Sequence, residues 1–402
     1  MLSRQLRSIV FSAITTCILA SGYAAETTLS DGTSEESLAS DISASLVVCG
    51  RGARLISSFG HCSIHMSCPS AYLDNYYTYL ILASPDNVKR FFEEGICTGQ
   101  FVVQKWDEFS KDYIEQNRPV TEYKLNLTTD EVRHLWMNLD KETYNPKKRI
   151  YSFLHSQCTS ICADIIRGSL HDERIEYGYL PEALTGTLRD YTDYAVSGYP
   201  WYRFCFQCLL GAEGEEQGTI WEKLTPTEIW PIWSQASIVD AEGNRRPVFT
   251  DDSQVLFNGT FRPSKPSPLT PTVVFAILFI FTLLLTVFSK KLRTVTKVYD
   301  AILLVVQTVL GLFFTWLFLF SRATWMAGNV LPVVFNPIPV LLWVLFHKRK
   351  WFRWGYVFYA VVLAAMIAAT PFVPQLGWGH TLLFGVFFVR VMACAVYKND
   401  KH

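Results

Sequence analysis

Five apolar blocks crowd the last third of the chain, and no soluble core holds such a series. They are Val273–Phe288, Ala301–Phe320, Val330–Phe346, Trp354–Val373 and Thr381–Tyr397, each close to the ~20 residues a helix needs to cross a bilayer. Their flanks alternate. Lys290, Lys291, Arg293 and Lys297 follow the first block, "HKRKWFR" the third, and Lys398 and Lys401 the fifth. The turns after the second and fourth, "SRATWMAGN" and "PQLGWGH", share a single basic residue. The positive-inside rule puts the basic turns in the cytoplasm. The prediction is an all-α membrane bundle of five helices (273–288, 301–320, 330–346, 354–373, 381–397), with the C-terminus inside and everything before Val273 outside.

The N-terminus agrees. Arg4 and Arg7 precede an apolar run from Ile9 to Ala20, too short for a span, and small residues at Ala24 and Ala25 permit cleavage. Residues 1–25 read as a signal peptide. Residues 26–44, rich in Ser, Thr and acids, read as a disordered lead-in. Charge divides at the same boundary. The chain has 36 Lys+Arg and 36 Asp+Glu, but residues 272–402 hold 12 of the bases and 2 of the acids. The N-terminal part is therefore about −10 and the C-terminal part about +10, as two environments require. No basic patch interleaved with aromatics points to nucleic acid. The expected location is the cytoplasmic (inner) membrane of a bacterium, multi-pass, with the N-terminal domain in the periplasm.

Residues 45–260 are expected to form an α+β extracytoplasmic domain, joined to the membrane by a Pro-rich linker over 261–272 ("RPSKPSPLTPT"). "SLVVCG", "FGHCSIHMSC", "NYYTYLIL" and "VTEYKLNLT" read as strands. Thr128 and Glu131 make a capping box, followed by Val132, Leu135, Trp136 and Leu139 on one helical face. Helical stretches follow near 183–210 and 225–235, and "VDAEGNRRPVF" reads as a hairpin around Gly243.

Within this domain Cys158 sits where a β-leaning run gives way to a helix, in "YSFLHSQCTSICADIIRG". Two readings stand. Free Cys is often just a small buried apolar residue. Alternatively, the unpaired N–H groups of a first helical turn lower a thiol's pKa and make a nucleophile. A nucleophile needs a base. His61, on the predicted strand after Gly60, is the candidate base, and Asn75 (with Asp74 as the other source) is the candidate group to orient its imidazole. His65 reads as an ordinary hydrogen-bonded histidine. Cys205-Phe206-Gln207-Cys208 lacks a second ligand pair for zinc and reads as packed core cysteines. Cys49, Cys62, Cys68 and Cys97 are available for disulfides whose pairing is not readable. No cofactor or metal is expected. In the third block, Asn336 lies among Pro332, Pro337 and Pro339. These predict a kinked helix, with Asn336 either bonding the freed carbonyls or opening a pocket.

The ordered set "SSFGHCSIHM", "DNYYTYLIL", "YIEQNRPVTEYKLNLTTDE", "YSFLHSQCTSICADII" and "YPWYRFCFQCLLG" resembles the Lnb family, named after the N-terminal periplasmic domain of the lacto-N-biosidase accessory protein. Phe59-Gly60-His61 matches its histidine motif. Gln116-Asn117-Arg118 matches with Gln for Glu, and Tyr77 stands where Gly is usual. Gln157-Cys158-Thr159 matches with Gln replacing Asn and Ser156 replacing Asp. The order His before Cys also resembles permuted papain-like thiol enzymes of the NlpC and lecithin–retinol acyltransferase types. The resemblance implies a permuted papain-like fold and a Cys/His hydrolase or acyltransferase acting on amide or ester bonds of a cell-envelope lipid, peptide or lipoprotein. As the alternative, the family's name implies a non-catalytic accessory factor that helps a secreted envelope or glycan-degrading client enzyme mature.

Overall fold

A computed structural model describes residues 41–152, 154–178, 186–217, 226–262, 267–346 and 352–397. The predicted signal peptide and nearly all of the lead-in lie outside these residues. The chain divides into two compact units, Met1–Ala195 with Gln217–Ser264, and Val196–Glu216 with Lys265–His402.

The first unit follows the strand pattern. Strands β1 (Ser43–Cys49), β2 (His61–Cys68) and β3 (Leu73–Ile81) lead into helix α1 (Pro85–Glu94). Then come β4 (Thr98–Gln104), α2 (Trp106–Glu115), β5 (Val120–Leu125), α3 (Thr129–Tyr144), β6 (Arg149–Ile150) and α4 (Cys158–Arg167). The unit continues with β7 (Arg174–Glu176) and α5 (Leu188–Ala195). Helix α6 (Pro200–Leu209) belongs to the second unit. The first resumes with α7 (Pro226–Trp233), β8 (Ser237–Val239), β9 (Arg245–Pro247) and β10 (Phe249–Phe257). Seven strands pair antiparallel in the order β10-β5-β1-β2-β3-β4-β6, and β7-β8-β9 form a second sheet. The class is α+β, as expected.

Both faces are covered at the centre of the large sheet, where β1 runs without a polar residue from Leu46 to Cys49. Leu46, Ile64, Met66, Tyr77 and Tyr79 face a core that includes Val132, Leu135 and Leu139 of α3 and Ile161 of α4. Fully burying an aliphatic side chain of this size contributes ~1.5–3 kcal/mol. Val47, Cys49, Tyr76 and Val120 face Phe109 and Tyr113 of α2. The capping box forms as predicted, Thr128 accepting from the Glu131 amide and the Glu131 carboxylate from the Thr128 amide. The β8–β9 hairpin turns at Gly243, φ 88°.

In the second unit, α8 (Pro271–Val287), α9 (Arg293–Phe320), α10 (Leu331–Val334), α11 (Ile338–Phe346), α12 (Arg353–Ala369) and α13 (Trp378–Tyr397) cover the five apolar blocks. Three helical stretches, Arg293–Phe320, Arg353–Phe372 and Trp378–Val396, are long and apolar enough to cross a membrane, and the others are shorter. The third block breaks at residues 335–337. Asn336 donates to the carbonyls of Pro332 and Val333 (3.1 and 3.2 Å), which is the carbonyl-bonding arrangement of the two expected. Gln307 donates to the carbonyls of Val334 and Asn336, and the Tyr359 hydroxyl to that of Val334. Gly311 lets α9 approach, since a Cβ there would lie 2.6 Å from the Asn336 carbonyl carbon.

The division places α6 differently from the predicted 45–260 domain. Its aromatic, apolar face packs with the helical unit. Trp201 donates to the Leu269 carbonyl and Asn329 to the Cys208 carbonyl. Of the two cysteines expected to be packed, Cys208 lies 3.4 Å from His380 Nε2, but Cys205 is exposed. All nine described cysteines are free thiols.

Candidate active site

The ends of three neighbouring strands build the site. In register, Cys49 at the end of β1 faces His61 at the start of β2 and Val120 at the start of β5. Gly60, at φ 84°, makes the turn that delivers His61 to the first position of its strand. Paired residues point to one face, so His61 shares Cys49's side of the sheet. There its ring lies 6.5 Å from that of Tyr113 on α2. The next residue, Cys62, points to the opposite face, where the Cys162 thiol of α4 reaches its carbonyl at 3.9 Å.

Cys158 is the first residue of α4. Gln157 is the N-cap, and its amide donates to Ser160 Oγ at 3.0 Å, so the local substitutions still make a reciprocal cap. The thiol is buried, at 4% exposure. It lies against the start of β2, where the Cys62 backbone N–H and the Tyr151 and Thr159 hydroxyls face the sulfur. Cys49 and Tyr113, on the imidazole's face, are within electrostatic reach of it. No hydrogen bond joins Cys158 to His61. The His61 Nε2 is buried without a partner among the described residues.

The expected thiolate does not form at rest. Burial pushes the Cys158 thiol up to about 11, and the Cys162 thiol adds to this against the opposing Cys62 amide. Desolvation outweighs the helix start. Burial first, and then the Arg118 guanidinium, hold His61 at about 3. The resting pair is a neutral thiol and a neutral imidazole.

Asn75 is not brought to His61. It pairs with Met66, five residues along β2, or roughly 16 Å at the rise of a strand, and its amide faces the Tyr77 hydroxyl. The groups beside His61 are instead Tyr113 and Arg118. Asn117 adopts φ 53°, a left-handed conformation that Asn tolerates, and is held by Thr260 and Phe261. That kink directs Arg118 inward. Its Nε donates to the Gly50 carbonyl at 2.8 Å, and its guanidinium lies 4.7 Å over the Tyr113 ring. The Gln-Asn-Arg match was the only sequence signal for this residue.

His65 makes a separate cluster. Its Nδ1 and Nε2 lie 2.7 Å from Glu122 and from Asp74, and Tyr76 stacks on its ring at 4.3 Å. Two carboxylates at the two nitrogens mean that both nitrogens donate. Among the described residues no group of three or more His, Cys, Asp or Glu is arranged to hold a metal ion.

Residues 33–191 match the family described as the Lnb N-terminal periplasmic domain, and residues 263–401 match the Lnb transmembrane domain. One match to each region supports the Lnb family for this chain. With both domains present, the chain is a membrane protein with a periplasmic N-terminal domain. No curated protein and no solved structure matches.

Proposed function

We propose that the periplasmic domain is a thiol hydrolase or acyltransferase of permuted papain-like type, with Cys158 as nucleophile and His61 as base. Its substrates are amide or ester bonds in cell-envelope lipid, peptide or lipoprotein. Five spans hold it in the inner membrane, with the C-terminus in the cytoplasm. Two observations support the reading: a thiol in the first turn of α4 beside the Cys62 amide, and a His61 Nε2 at the start of the same strand, buried without a hydrogen-bond partner among the described residues. The chain order, His strand before Cys helix, supports the fold type.

The neutral resting pair dictates the chemistry. The Cys158 sulfur attacks the acyl carbon as its proton passes to His61. The Cys62 amide, already directed at the sulfur, and the free N–H groups of the α4 first turn stabilise the developing negative charge. The leaving amine or alcohol takes the proton from His61, leaving a thioester on Cys158. Water or a second acceptor then releases the acyl group. Asn75, on β3 opposite Met66, is too far from His61 for the orienting role, which falls to Tyr113.

The test uses full-length protein in membranes supplied with envelope extract. Intact-mass analysis is expected to show a hydroxylamine-labile acyl adduct on Cys158. His61→Gln is expected to slow its formation by about 10²-fold or more. An adduct that persists in Cys158→Ser, or wild-type acyl release by that variant, would falsify the reading and leave the accessory role. A reporter fused after His402 that works only in the periplasm would contradict the five spans.

A further inference from the structure

A guanidinium is charged at every working pH, and an unpaired charge removed from water is among the most costly groups a fold can contain. Arg118 is 4% exposed. Its Nε is taken by the Gly50 carbonyl, and its Nη2 is buried without a hydrogen-bond partner. Among the described residues it makes no ion pair.

No neighbour supplies the missing anion. Burial keeps Cys49 protonated, up to about 12, and Tyr113 above its ordinary range. His61 is neutral. The turn beside it, "GRGARLIS" from Gly50 to Ser57, carries no Asp or Glu, and none occurs between Asp41 and Asp74. The end of β1, β2 and β5 thus holds a buried guanidinium whose Nη2 has no hydrogen-bond partner among the described residues. Arg118 lies just before β5, with β1 between it and the candidate base on β2.

We infer that Arg118 anchors an oxyanion of the ligand, a carboxylate or a phosphate ester, at the end of β1, β2 and β5. The inference rests on the thiol-enzyme reading only in calling that ligand a substrate. An anion on Arg118 would offset the field that opposes protonation of His61, so the imidazole would gain basicity when the ligand is bound. The acyl compounds accepted would then be acidic ones.

The experiment uses the full chain in detergent, titrated separately with succinate and inorganic phosphate against chloride at matched ionic strength. The expected result is a saturating rise in the thermal midpoint with one or both oxyanions. In Arg118→Gln, half-saturation should be roughly ten-fold weaker or worse. Hydrogen exchange on the wild type needs no variant. The bound anion should slow exchange in peptides covering Gly50–His61 and Asn117–Val120. A succinate response alone identifies a carboxylate, and a phosphate response alone a phosphate ester. No response beyond chloride, an equal response in Arg118→Gln, or protection confined to other segments overturns the inference. Cys158→Ser separates the two readings, because anion binding survives in it even if the thiol proves not to be a nucleophile.

Discussion

Two buried arginines, one in each unit, show opposite solutions to the same physical problem. Arg390 of α13 has its Nε and Nη2 on the two Asp300 oxygens at 2.7 and 3.0 Å, and its Nη1 on Thr286 Oγ1 at 2.7 Å. It joins three helices, α8, α9 and α13. Arg118 is as deeply buried and has one carbonyl, one aromatic face and an unbonded Nη2. The broken helix repeats the first pattern, since its freed carbonyls are taken up by Asn336, Gln307 and Tyr359. The contrast teaches where to look for function. Charge and backbone polarity in the helical unit are largely balanced from within, as a bilayer demands. At the sheet end they are left open toward something that is not part of the chain.

Breaking the balanced arginine should have the largest effect. Arg390→Ala leaves the half-buried Asp300 without its partner, and breaking a buried pair costs up to about 3–5 kcal/mol. The full chain should lose most of its folded yield in detergent. Asp300→Asn should be comparably damaging, and the double replacement Arg390→Met with Asp300→Leu should recover much of the loss. Wild-type yield from Arg390→Ala would show that the pair is not structural, and the comparison would lose its first half.

Next comes Asn336→Leu, which strips the side-chain donor from the carbonyls of Pro332 and Val333. Polar contacts between membrane segments average well below 2 kcal/mol, so about 1 kcal/mol is expected. A denaturation titration of the full chain reads this as a modest shift. A loss as large as that of Arg390→Ala would mean that the break is held by this residue alone rather than shared with Gln307 and Tyr359.

How much of this was legible depends on how local each signal is. The break and its Asn were readable because proline acts on its own preceding turn. The capping box, the Gly243 hairpin and the helix that starts at Cys158 were readable for the same reason. The β10 edge strand was not, because its exposed Asp251 and Asp252 suit a sheet edge and obscure the strand pattern. Asn75 was placed beside His61 by adjacency of strands, and only the register shows that on β3 it faces Met66, five residues from His61. Arg118 and Tyr113 join His61 through contacts between segments more than fifty residues apart in the sequence or on the far side of a helix, which no periodicity reports. The thiol's raised pKa was hidden too, since burial is a property of the whole fold.

A smaller, pH-dependent effect belongs to His65, the one described histidine of the sheet whose charge is balanced from within. Burial opposes its charge, but Glu122 first and then Asp74 outweigh this and raise its pKa above the ordinary 6.5. Burial likewise raises Glu122, but His65 outweighs it and the net pKa falls below 4.5. The signs then follow from linkage. The His65 contribution is full below about 6.5 and lost as pH rises through its raised folded value. The Glu122 contribution is full above about 4.5 and lost as pH falls through its depressed one. The stability gap between wild type and His65→Gln should therefore be widest between about pH 4.5 and 6.5, at roughly 1 kcal/mol, and shrink on both sides. A gap that keeps growing above pH 8 would mean that the pair is not what stabilises this face.

The smallest expected change is the most informative. Arg118→Met removes the unbalanced charge and keeps an unbranched chain able to pack on Tyr113. It loses one bond to the Gly50 carbonyl, about 1 kcal/mol, and removes the desolvation of a guanidinium that no anion offsets. The two oppose each other, so the thermal midpoint of the full chain should stay within about 1 kcal/mol of wild type or rise, as happens when a site held for function is replaced by apolar packing. Removing the field on His61 should also let its pKa climb from about 3 toward what burial alone allows. The same substitution in a balanced setting, Arg390→Met, should cost several kcal/mol by the argument above. If both variants are equally damaging, Arg118 is a structural residue like Arg390, and the sheet end is not open to a ligand.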